Sequence, residues 1–169
     1  MLGDVDFVLE LADQAKTRGI AIRGISSLYS CMLNWSLHPK PLDYRPVERL
    51  LEKRNCQALV TKLFSGPCEI KPEDVDEALR GLKSKHAVIR EHAVVVLGER
   101  NLAKQAERIL PAIADLLLDR TANVRRLTII ALSRRKKGAL PYLAEIRKLF
   151  KDPDPEVSST AKHYAKELA

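Results

Sequence analysis

The stretch that decides the fold runs from Leu110 to Lys137, LPAIADLLLDRTANVRRLTIIALSRRKK. Leu110, Ile113 and Leu117 fall at helical spacing, and so do Val124, Thr128 and Leu132. A polar segment around Asp119-Arg120-Thr121 breaks the pattern between them. The stretch reads as two short antiparallel helices joined by a turn, closed by four cations in a row from Arg134 to Lys137.

The same pattern recurs on both sides. Ile89, Val124 and Val157 align at separations of 35 and 33 residues. Four positions later each unit has a small side chain, Ala93, Thr128 and Ala161. Four positions beyond those come Leu97, Leu132 and Ala165. Upstream lie Leu82, Leu117 and Phe150, then Ala78, Ile113 and Ile146, then Val75, Leu110 and Leu143. A helix pair with one apolar side, repeated at a near-constant period, cannot bury that side alone, so its neighbours must cover it. The expected fold is all-α, a superhelix (solenoid) of antiparallel helix pairs. Its three repeats span about 72–104, 105–138 and 139–169.

Residues 1–71 lack the motif. Val5, Val8, Leu9 and Ala12 predict a helix over 4–17, and Ile22, Ile25, Leu28 and Met32 a second over 20–36. Three prolines in LHPKPLDYRP (37–46) demand a loop. Pro46 opens a further helical pattern that reaches Phe64, as one helix or as two with a break near Asn55. A second loop, 65–71, leads to Pro72-Glu73-Asp74, which places two acids in a first helical turn. These helices read as irregular, or as degenerate repeats, in one continuous domain with the rest.

The third unit, LPYLAEIRKLFKDPDPEVSSTAKHYAKELA, resembles the HEAT-repeat family in its LP opening, its DPDPEV turn and its alanine-bearing second helix. The second unit keeps Leu110-Pro111, Asp119 and Val124-Arg125, and the first keeps Val88-Ile89-Arg90. The resemblance covers residues 72–169. It implies that second helices line the concave side, and that a turn Asp and an Arg after the turn's valine form a ladder between repeats. The Asp column reads Ser84, Asp119, Asp152 and the Arg column Arg90, Arg125, Ser158. Rungs Arg90–Asp119 and Arg125–Asp152 are therefore expected.

Composition narrows the function. With 46% hydrophobic and 30% charged residues the chain can bury a core, and only 7 glycines with 5% aromatics favour helices. Cys31, Cys56 and Cys68 have neither disulfide-framework nor CxxC spacing, which suits a reducing compartment. Asp4, Asp6 and Glu10 stand where a signal peptide would place cations, and no apolar run approaches a membrane span. A cytoplasmic location without membrane contact is expected. His38, His86, His92 and His163 are scattered, so no metal site is expected. No cofactor or catalytic motif is present, which argues against an enzyme.

The net charge of +7 is concentrated: residues 105–138 hold eight bases against three acids. Arg120, Arg126, Arg134, Arg135, Lys136 and Lys137 are the candidate partner-binding residues. Cations at a helix C-terminus answer the helix dipole, but four in a row exceed that need and suit an acidic protein surface or phosphates. The expected function is a non-enzymatic scaffold holding a protein partner, with DNA or RNA backbone binding as the alternative. More remote are two enzyme classes with HEAT-like folds, DNA glycosylases and bilin lyases. Trp35 has no acidic companion for the first, and no residue distinguishes the second.

Overall fold

The structure is a computed structural model that describes residues 42–52 and 70–168, apart from the side chains of Pro46, Arg49, Leu50, Arg100, Asn101 and Ala103. The expectations for residues 1–41 and 53–69, with Trp35, His38 and the three cysteines, lie outside the described residues. The chain divides into two compact units, Met1–Glu69 and Ile70–Ala169.

In the first unit, α1 spans Arg45–Glu52. The Asp43 carboxylate accepts the Arg45 amide at 2.9 Å and the Arg45 guanidinium at 2.9 and 2.7 Å, satisfying a donor that the helix start leaves open. Tyr44 and Val47 are buried beside it.

The second unit holds six α-helices and no strand among the described residues. They are α2 (Val75–Gly81), α3 (Ala87–Leu97), α4 (Ala106–Ala114), α5 (Ala122–Ser133), α6 (Leu143–Lys148) and α7 (Pro155–Leu168). Short 3-10 turns precede α2, link α3 to α4 and α5 to α6, and extend α4 and α6 at their C-terminal ends. The Leu-Pro pairs do not open the first helices. Pro111 falls inside α4, which begins at Ala106, and Pro141 lies in the 3-10 turn before α6. Asp154 caps α7, accepting the amides of Glu156 and Val157 at 3.0 and 3.1 Å, with Pro155 at the position where a missing donor costs least.

Packing follows the apolar columns. α2 lies on α3, α4 and its 3-10 extension on α5, and α6 with its extension on α7. α5 also packs against α3 on one side and α7 on the other, so α3, α5 and α7 form a row. Ile89, Val124, Val157, Ala93, Thr128 and Ala161 are fully buried, as are Ala78, Ile113 and Ile146. Small residues four positions after each branched one let the row close. Gly98, just past α3, completes the approach: a Cβ there would lie 2.9 Å from the Ala131 Cβ on α5.

Candidate partner-binding surface

Two arginines tie the helix pairs together, each from the fourth residue of its helix. Arg90 on α3 donates from Nε and NH2 to the Asp119 carboxylate at 2.7 and 2.8 Å, and from NH1 to the Ser84 carbonyl at 2.9 Å. Arg125 on α5 repeats the arrangement: Nε and NH2 reach Asp152 at 2.8 and 2.7 Å, and NH1 reaches the Asp119 carbonyl at 2.8 Å. Both pairs are nearly out of water, with side-chain exposures of 6% and 7% for the first and 13% and 3% for the second. Each aspartate also accepts the amide two residues on, Thr121 or Asp154, which fixes the turn. At the next equivalent position Ser158 donates instead to the Phe150 carbonyl at 2.7 Å.

The surroundings set the charges. Burial pushes the Asp119 carboxyl up, but hydrogen bonds from Arg90 and Thr121 outweigh it and hold the group below the usual carboxylate range. The Arg125 hydrogen bonds hold Asp152 low against its burial, and Asp152 in turn raises Arg125. Each rung sets one cation against one anion, nearly out of water, so these four groups offset one another within the fold.

The six candidate cations do not form one patch. α5 has 12 residues and is about 18 Å long. Arg120 and Arg126 lie at its start, and Arg134 to Lys137 at its end. Arg120 is exposed and donates to the Lys85 carbonyl at 2.9 Å. Arg126 donates to Asn123 Oδ1 at 3.2 and 2.9 Å, with Nε 3.8 Å from Glu156 Oε2. Asn123 is also hydrogen-bonded to Glu91 of α3, whose carboxyl is raised chiefly by burial. Arg126 thus stands between two carboxylates. Its side chain lines an open groove of about 350 Å³ with Pro155, Glu156, Ser159 and Thr160.

At the far end of α5 the four consecutive cations take three different roles. Arg134 pairs with Glu99 at 3.1 Å, half exposed. Arg135 turns inward, and its NH2 donates to the carbonyls of Leu97 and Glu99, closing the C-terminal end of α3, where helix carbonyls lack internal donors. Its Nε is buried without a hydrogen bond, and burial lowers its pKa against the pull of Glu99. Lys136 and Lys137 are exposed, and neither makes a hydrogen bond or ion pair among the described residues. Lys136 has φ 47°, the left-handed region that favours glycine or asparagine. Leu140 follows, 47% exposed.

The residue pattern did not point to the roles of Arg134 and Arg135. A signal for Arg134 was present, because Glu99 precedes it by 35 residues, one repeat period. Arg135 binds backbone carbonyls, which carry no sequence signal. His92 is buried on α3, and burial lowers it to about 4. Exposed His163 lies 3.3 Å from Glu167. Among the described residues no cluster of His, Cys, Asp and Glu could hold a metal ion, and no helix is long and apolar enough to cross a membrane. No family model matches the chain, and no curated protein is significantly similar to it.

Proposed function

We propose that the chain is a non-enzymatic, HEAT-like α-solenoid scaffold that holds another protein through an acidic patch on that partner. The row of α3, α5 and α7, with equivalent arginine–aspartate rungs joining successive helix pairs, supports the solenoid reading. The partner contact is placed at the loop end of α5, on Lys136 and Lys137 with Arg134 beside them and Leu140 as an apolar neighbour.

Lys136 is the observation that carries the reading. A lysine held at φ 47° costs about 1 kcal/mol against glycine, and its charge satisfies nothing within the described residues. A side chain kept at a conformational cost with no internal use points outward. Arg126 contributes least, because Glu91 and Glu156 already offset it.

Affinity capture from native extract tests this, using the wild type and a Lys136→Gly, Lys137→Ser variant, each with and without nuclease. The reading expects a protein that survives nuclease, dissociates as salt rises and is lost with the variant. Material that disappears with nuclease would move the function to nucleic acid. Binding to duplex DNA should then fall steeply between about 50 and 200 mM salt.

A further inference from the structure

Among the large apolar side chains found exposed, Leu118 is the most open to water, at 86%. A lone surface leucine is common, and its surroundings set this one apart. It ends the 3-10 turn before Asp119, and Asp119 is held on both sides: Arg90 grips its carboxylate and Arg125 its carbonyl. Arg120, one residue on, is tied to the carbonyl of Lys85 in the neighbouring turn. The core position beneath is filled by Leu117, 2% exposed. The backbone that carries Leu118 is therefore held, and its side chain has no local route inward.

The rungs set the turns before α3, α5 and α7 side by side, and the edge they form is basic. Equivalent positions carry Lys83, Leu118 and Lys151, and beside them Lys85 and Arg120, all exposed. Of the acids in these turns, Asp119 and Asp152 are neutralised in the rungs and Asp154 caps α7, which leaves exposed Asp115 against four cations. One apolar side chain stands on a mainly cationic edge, at the opposite end of α5 from Lys136.

We infer that this edge is a second docking surface, which takes an extended acidic segment of another protein carrying one apolar side chain against Leu118. Packed helices lie about 8–10 Å apart, and an extended chain in the polyproline II form advances about 3.1 Å per residue and returns to the same face every third residue. Acids three residues apart therefore meet the cations of successive turns. Opposite charge speeds encounter, and a turn whose backbone is already held lowers the ordering cost of binding. A membrane fits less well, because one leucine outside an amphipathic helix gives little anchoring.

The test titrates the ¹⁵N-labelled full chain with a synthetic peptide bearing glutamate at every third position and a central leucine. The expected shifts include the amides of Lys83, Leu118, Arg120 and Lys151, and those four persist in a Lys136→Gly, Lys137→Ser background. Leu118→Ser should weaken binding about tenfold, as should replacing the peptide's glutamates by glutamine. Leu118 lies outside the core, so the variant should melt as the wild type does, which separates lost binding from unfolding. No shift at these amides at about 1 mM peptide overturns the inference, as do shifts confined to Lys136 and Lys137. Undiminished binding by Leu118→Ser, or vesicles of anionic phospholipid engaging Leu118 where the peptide does not, also overturns it. Shifts confined to Lys136 and Lys137 would favour the contact at that end of α5 while overturning this one, so the two fail separately.

Discussion

Arg125 and Asp152, 27 residues apart, meet in a two-pronged ion pair at 2.8 and 2.7 Å, and the same guanidinium donates to the carbonyl of Asp119. One side chain therefore joins two turns as well as two helix pairs. Removing one partner leaves the other charged and dry. Asp152→Ala or Arg125→Ala should each lower the unfolding free energy by about 2–4 kcal/mol, measured by urea titration. The exchange Arg125→Asp with Asp152→Arg should recover part of that loss. Recovery stays incomplete because an aspartate at 125 has nothing to donate to the Asp119 carbonyl. No recovery at all would remove the pair from the account of stability.

Acid should unfold the protein in two stages of known sign. His92 is held neutral by burial, with its pKa lowered from 6.5 to about 4. Its contribution is complete above pH 6.5 and is lost as pH falls toward 4, roughly 3 kcal/mol in all. Glu91, raised by burial, acts in the opposite direction and relieves some of that loss as it protonates. Asp119 and Asp152 are depressed, so their stabilisation persists above the ordinary carboxylate range and disappears below it. Urea midpoints followed against pH should fall across the first window in the wild type and stay flatter in His92→Gln. A flat wild-type profile there would contradict the buried neutral imidazole.

Gly98 sets how closely α3 and α5 approach. A methyl group at this position would sit 2.9 Å from the Ala131 Cβ and 3.2 Å from its Cα, so the helices must separate to admit it. Gly98→Ala should cost about 1–3 kcal/mol despite improving helix propensity. Adding Ala131→Gly should return part of the loss, which thermal melts of the single and double variants would show.

The helix pairs were legible because burial obeys spacing. Ile89, Val124 and Val157, aligned by period alone, all lie at 0% exposure. The partners of Arg90 and Arg125 could be named because both halves of each rung are side chains recurring at that period. The cationic run was harder to read. On paper Arg134 to Lys137 are four equal charges, but α5 ends at Ser133, Arg134 pairs with Glu99, Arg135 turns onto carbonyls, and the two lysines stay exposed. Arg135 is used on carbonyls that any sequence would offer. The left-handed backbone of Lys136 left no trace, since the residue that would announce it, glycine, stands at 138. The Leu-Pro pairs misled about helix starts. Proline lacks a donor and its ring crowds the carbonyl four residues back, which favours a helix start, yet Pro111 falls five residues into α4.

The most direct measurement pairs stability with binding in the single variant Lys136→Gly. Glycine relieves the backbone at φ 47°, so the melting temperature should rise by a few degrees, corresponding to about 0.5–1 kcal/mol. The same variant should retain less of the nuclease-resistant partner, or of immobilised polyglutamate, than the wild type. A variant that is more stable and binds as well as the wild type would contradict the claim that Lys136 is kept in its strained place to hold a partner.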